Sequence, residues 1–295
     1  MNLSQKSYYS AEANKAFMSV SQYKDFCKCE SMALAKINGT YSQPKSKALV
    51  LGSLFDEMLT GTKKSQIEFI AENYTELFQK SSKICSELNK IEEVDRIPIV
   101  TEWYSEDFFC EANKPFADVA QAIETAAKVK QQPLMMKYLS GVKQKILTGE
   151  ICGVPFKIKM DNYKKGEFIS DLKYMASLRS PNMFEPMVKY WNYVAQGAVY
   201  QEIVYQNTGK RLPFFLVIAT KETPAHLDVC EIKQYDLDEE LANIKKRVER
   251  FQAIKNGEIS PERCEEYDCN YCTETRILTE PIDSNMLGMA RKFDV

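Results

Sequence analysis

Apolar positions along the first third of the chain recur with helical spacing. After Ser21, a candidate N-cap, the residues Tyr23, Phe26, Met32 and Ala33 fall near one side of a helix predicted to run to about Ile37, where Gly39 stops it. Leu51, Leu54, Phe55, Met58 and Leu59 keep the 3.6-residue period and predict a second helix ended by Gly61. Gly52 and Asp56, four apart, share one side of it. Spans 67–88 and 116–139 continue the helical pattern, with the polar, aromatic-rich span 101–114 as a loop between them. The period then shortens to two. Spans 143–148, 155–161 and 167–174 predict a three-stranded meander, turned at Gly153 and at Lys164-Lys165-Gly166. A long helix over 184–207, strands at 213–220 and 227–232, and an amphipathic helix over 237–255 complete the series. This order predicts an α/β fold with a mixed central sheet flanked by helices and a helical N-terminal region.

Composition narrows the chemistry. The 295 residues include one histidine, His226, so Ser-His-Asp triads, Cys-His hydrolases and His-rich metal sites must run through it or be dropped. His226 lies in a Pro-Ala-His-Leu turn before a strand, which suits no catalytic role. The 11 glycines contain no i, i+2 pair, and Gly209-Lys210 has no glycine five residues before Gly209, which excludes dinucleotide fingerprints and P-loops. What remains is carboxylate, lysine, metal and thiolate chemistry. The apolar stretch 212–220 is too short for a membrane span and the N-terminal MNLSQKSYYS lacks an apolar signal region, so a cytoplasmic protein is expected. A single domain over 1–295 accounts for the length: a helical part to 140, a core over 141–256 and a cysteine-containing segment from 257.

The meander carries a charged constellation. Asp161 closes its second strand, while Asp171 and Lys173, two apart on the third, point to one face. A tight turn at Lys164-Lys165-Gly166 brings Asp161 opposite Asp171 to within about one residue of register. Two carboxylates and a backbone carbonyl suit a hard divalent cation, and an adjacent lysine can stabilise charge on a phosphate or help activate water. Taken alone, Asp-x-Lys is also the pattern of a surface ion pair.

The tract GVPFKIKMD ending at Asp161, then ISDLK with Asp171 and Lys173, then QGAVY with Gln196 and Tyr200, resembles the RecB-type branch of the PD-(D/E)xK nucleases. SVSQYKDFCKCE, ALVLGSLFDEML and the C-terminal cysteines extend the likeness over most of the chain, with phage and prophage relatives of the RecE and lambda exonucleases as its nearest form. The resemblance implies a restriction-endonuclease-like fold. It makes Asp161, Asp171 and the Leu172 carbonyl ligands of Mg²⁺ or Mn²⁺, Lys173 the catalytic lysine, and Gln196 and Tyr200 residues that face the site and position DNA or the catalytic strand. Asp56 stands where many relatives carry a metal-binding histidine, and a carboxylate also binds a hard cation.

Nine cysteines in a chain without a signal region favour metal ligation or burial over disulfides. Cys264, Cys269 and Cys272 form the densest group, in RCEEYDCNYC, and three thiolates need a fourth ligand. The resemblance supplies it in Cys29, with Cys27 as the alternative, and implies a [4Fe-4S] cluster. The C-x4-C-x2-C spacing differs from the C-x2-C-x5-C of cluster-bearing relatives, and zinc or unmetallated thiols also fit.

A net charge of -2 gives no global footprint for DNA, so attraction must be local: Lys164, Lys165, Lys210, Arg211 and Lys245-Lys246-Arg247 are candidate phosphate contacts. The resulting expectation is a metal-dependent exonuclease resecting duplex DNA ends beside a single-strand annealing protein, as a homo-oligomer that gathers the basic patches around DNA. The alternatives are a PD-(D/E)xK endonuclease and a non-catalytic cysteine-metal DNA-binding module.

Overall fold

A computed structural model describes residues 3–43, 47–60, 117–180, 185–264, 266, 269–278, 281 and 284. Gly61 and the spans 67–88 and 101–114 lie outside the described residues. Helices α1 (Ala11–Ala16), α2 (Val20–Lys28), α3 (Glu30–Asn38) and α4 (Lys47–Thr60) come first, then α5 (Ala117–Lys130) and α6 (Pro133–Tyr138). Strands β1 (Val142–Ile151), β2 (Val154–Lys164) and β3 (Phe168–Met175) follow, then α7 (Met187–Tyr190) and α8 (Tyr193–Thr208). β4 (Phe214–Thr220), β5 (Leu227–Ile232), α9 (Gln234–Lys255) and α10 (Asn270–Glu274) complete the described order.

The strands form one sheet in the order β1-β2-β3-β4-β5. β3 and β4 are parallel and the other pairs antiparallel, so the sheet is mixed. The parallel pair is joined by α7 and α8, as a crossover requires. One face of the sheet buries Phe156, Ile158, Ile169, Leu216 and Ile218 against α2, α3, α8 and α9. The other buries Leu172, Val217 and Ala219 beneath Leu51, Leu54 and Phe55 of α4 and Ala122, Ile123 and Ala126 of α5. This three-layer α/β architecture is the restriction-endonuclease-like fold.

Three helices predicted as continuous are broken, each for a local reason. The first is capped by Ser19, whose side chain accepts from the Gln22 N–H, and it splits at Cys29, which is extended at φ -159°. The helix predicted over 116–139 restarts at Pro133, a residue with no N–H to donate inside a helix. The helix predicted over 184–207 restarts at Asn192, whose left-handed φ of 51° ends α7 and whose side chain caps α8 by accepting from the Ala195 N–H. The short helix α1 was not anticipated.

Two packing features set the site. Phe55 of α4 stacks on Tyr174 of β3 with ring centroids 4.1 Å apart, and the next residue, Asp56, comes within electrostatic range of Asp161. On the opposite face, a Cβ at Gly197 would lie 2.7 Å from the Phe214 ring and 2.8 Å from Leu237. Glycine there lets α8 sit close to β4, and the preceding Gln196 meets β3.

Candidate active site and cysteine centre

Asp161 is skipped by both ladders of β2. Pairing with β1 runs from Val142↔Tyr163 to Ile151↔Val154 but omits Gln144 opposite Asp161, and pairing with β3 begins only at Asn162↔Ser170. Gln144 has a left-handed φ of 52°, a strained conformation for a side chain of this size. The freed backbone is replaced by side-chain bonds. The Asp161 carboxylate accepts from Gln144 Nε2 at 3.1 Å and from the Leu172 N–H at 3.2 Å. Continuing the β2–β3 register by one step places Asp161 opposite Asp171.

Asp171 is buried. Its Oδ2 lies 2.5 Å from Lys173 Nζ, and its Oδ1 accepts from Gln196 Nε2 at 2.6 Å. Lys173 Nζ also donates to Gln196 Oε1 at 3.1 Å. The Gln196 amide is thereby oriented: its NH₂ must face the carboxylate and its oxygen the ammonium. Tyr200, one turn along α8, donates its hydroxyl to the Lys159 carbonyl at 2.9 Å and so fixes β2 two residues before Asp161. Burial, then Asp171 and the other nearby acids, push the Tyr200 phenol up and keep it a donor.

The electrostatics are those of crowded like charges. Burial raises the Asp161 carboxyl well above the usual carboxylate range, and the charges of Asp171 and Asp56 raise it further against the pull of Lys173. Asp56 is thus within electrostatic reach of Asp161. Burial would lower the Lys173 ammonium, but Asp171 and Asp161 outweigh it and hold the pKa above its ordinary value. All candidate donors here are oxygens, and Asp171 and Asp56 both repel the Asp161 carboxylate in a partly buried place. A hard divalent cation relieves that repulsion, so these residues fit one.

Sequence reasoning missed four neighbours. Gln144 and its strained backbone are one. Lys143 donates to the Leu139 carbonyl and to Asn162 Oδ1 while flanking Asp56 and Asp161. Tyr193 lies beneath Lys173, whose Nζ is 4.7 Å from the ring centroid. Lys24 of α2 sits 5.3 Å from the same centroid and donates to the Trp191 carbonyl. Burial, and then the charge of Lys173, lower Lys24 to about 8. Lys24 and the half-exposed Tyr190 and Trp191 line a groove of about 700 Å³ beside the site. No sequence signal marked Tyr193 and Lys24, which meet where α2 packs across α8.

The candidate phosphate contacts divide. Lys164 and Lys165 lie at the β2–β3 turn, and Lys210 Nζ is 3.8 Å from where a Cβ of Gly166 would stand, so these cations share one end of the hairpin. Arg211 instead faces Glu202 at 3.7 Å and Asp238 at 3.9 Å. His226 is exposed and lies 3.9 Å from Glu222, away from this cluster.

Cys29, Cys264, Cys269 and Cys272 converge, with all four sulfurs within 4.8 Å of one another. Cys29 separates α2 from α3, Cys269 caps α10 and Cys272 lies within it. Cys27 is exposed and bonds Arg247 instead. Burial pushes the Cys264 thiol far up, so thiolates need a cation here. Among the described residues, no other group of three or more histidines, cysteines or acids brings its ligand atoms that close.

The fold and the meander's Asp, Asp-x-Lys arrangement define a member of the PD-(D/E)xK nuclease superfamily. Within it, residues 19–275 match the family described as a PDDEXK-like domain of unknown function (DUF3799), and the chain belongs to that family. Among solved structures it is similar to a crystal structure titled "Putative exonuclease" from Eubacterium rectale. The two are 37% identical over 99% of this chain and 100% of that chain, with a TM-score of 0.80. Comparison with curated proteins finds no match. No helix among the described residues is long and apolar enough to cross a membrane.

Proposed function

We propose that this chain is a divalent-metal-dependent deoxyribonuclease that hydrolyses phosphodiester bonds from the ends of duplex DNA. The observation that carries the reading is the bonded triangle of Asp171, Lys173 and Gln196 beside Asp161, which accepts from the Leu172 N–H where the β2 ladder opens. Asp161, Asp171, Asp56 and the Leu172 carbonyl would hold Mg²⁺ or Mn²⁺. When bound, the cation supplies positive charge for the scissile phosphate and acidifies water.

The chain's own groups do the rest. Lys173 keeps its proton, because the two carboxylates hold its pKa above the ordinary value, and it acts as a fixed cation toward the phosphate as charge develops. Gln196 holds Asp171 and Lys173 in register with each other. Tyr200 anchors β2 so that Asp161 stays opposite Asp171. Lys24 adds a second cation over Tyr193, and Lys164, Lys165 and Lys210 offer phosphate contacts at the hairpin end.

Similarity to the Eubacterium rectale protein titled "Putative exonuclease" supports end-directed action. A role in phage-type recombination beside a single-strand annealing protein, in a homo-oligomer, rests on the family resemblance. The reading as a non-catalytic binding module loses ground because the three charged groups of the meander are all present and mutually engaged. End-labelled linear duplexes and covalently closed circles, each incubated with Mg²⁺, Mn²⁺ or EDTA, test the proposal. Linear DNA should be consumed from its ends with metal and circles spared; rapid nicking of supercoiled circles would instead assign an endonuclease.

A further inference from the structure

The resemblance implies a [4Fe-4S] cluster at the four cysteines, and the geometry disagrees. Taking these cysteines as one metal centre, we infer that it is built for a single tetrahedral zinc ion. Four thiolates around one zinc, at Zn–S of about 2.3 Å, stand about 3.8 Å apart along each tetrahedron edge. Cys272 Sγ lies 3.7 Å from Cys29 Sγ and 3.7 Å from Cys264 Sγ, and the longest of the six separations is within 4.8 Å. Binding one zinc therefore needs the remaining pairs to close by about 1 Å at most. A [4Fe-4S] cube places each thiolate on a different iron at a different corner, so the sulfurs must stand much farther apart than they do.

The walls of the centre resist such expansion. Cys29, Cys264 and Cys272 are buried and pack with Met32, Tyr41 and Tyr271, whose two tyrosine rings meet edge to face at 5.1 Å. The wall behind Cys29 is tied to the wall behind Cys264 by short bonds. Arg250 grips Glu30 with two bonds of 2.8 and 2.9 Å and Glu262 with one of 3.0 Å. The Glu262 N–H donates to Glu30 at 2.8 Å, and the Ser31 N–H donates to the Glu262 carbonyl at 3.0 Å. On the third side, Arg263 donates to the Cys272 carbonyl at 2.9 Å and to Thr275 Oγ1 at 2.8 Å. Cys269 and Cys272 add a Cys-x-x-Cys step at the start of α10, a spacing that zinc sites use to take two ligands from one short segment.

The test is metal analysis of the full chain, produced with ample iron and isolated anaerobically. One zinc per chain, no acid-labile sulfide and a colourless protein are expected. Exchange with Co²⁺ should give the intense visible bands of a tetrahedral cobalt thiolate. Cys269→Ser, which alters the least buried of the four, should release zinc to a competing chelator at least about tenfold more readily. Asp171→Asn should keep its zinc in full, which separates this centre from the proposed nuclease site. A brown protein with about four irons and matching sulfide would overturn zinc while leaving a metal centre. Neither metal, with four freely alkylated thiols, would overturn the centre itself, and zinc unaffected by Cys269→Ser would place the ion elsewhere.

Discussion

The carboxylate cluster and the cysteine centre both gather groups that repel or resist ionising, but they assemble them in opposite ways. Asp161, Asp171 and Lys173 come from two adjacent strands joined by one tight turn, and Gln196 comes from the next long helix. Cys29 and the three C-terminal cysteines lie more than 230 residues apart in sequence and meet beside the packing of α2 and α3 on α9, where Glu30 pairs with Arg250. The first arrangement is built on a strained gap in the β2 ladders, with Asp171 buried and Lys173 partly exposed. The second is mostly buried, with Cys269 partly exposed. Under the proposed function the first serves chemistry and the second stability, and the two differ most in how much chain they join.

That contrast is broken most severely if the chemistry survives loss of its charges. Asp171→Asn and Lys173→Ala should each lower cleavage by about 10²-fold or more while circular dichroism and bound zinc stay unchanged. Cys264→Ser should do the converse. Its melting temperature should drop by several degrees as the folding free energy of the centre is lost, with cleavage per folded molecule retained at low temperature.

Gln196→Ala sharpens the comparison within the active site. It removes hydrogen bonds to two charged groups, each of the kind that contributes about 1.5–3 kcal/mol, so kcat should fall by about tenfold or more with KM little changed. A purely structural role would instead lower stability and leave kcat of the folded fraction intact. Lys24 should give the smallest effect. Its pKa of about 8 means that the cation is present below that pH and lost above it, and DNA affinity should decline by a few fold from pH 7 to 9. Lys24→Arg keeps the charge and should flatten the decline; a slope unchanged in that variant removes Lys24 from DNA contact.

The meander was legible because local period and turn chemistry decide it. β1, β2 and β3 begin and end within three residues of the predicted strands, and the Gly166 turn sets the register that brings Asp161 toward Asp171. Helix breaks were less legible, because Asn192 and Cys29 interrupt runs whose apolar spacing continues across them. The partnership of Cys29 with the C-terminal group entered only through family likeness, since no spacing rule links residues so far apart. Gln144, Tyr193 and Lys24 carried no signal, because a skipped ladder position and a helix crossing are properties of the assembled fold.

The central claim is that the gap in the β2 ladders holds a metal-dependent nuclease site, and an Mg²⁺ titration of linear-duplex digestion by the wild-type chain and Asp161→Asn tests it most directly. The account predicts wild-type digestion that rises with Mg²⁺ and stops in EDTA, and a folded Asp161→Asn protein that stays inactive at every Mg²⁺ concentration. Digestion by Asp161→Asn at the wild-type rate, or wild-type digestion indifferent to EDTA, would contradict it.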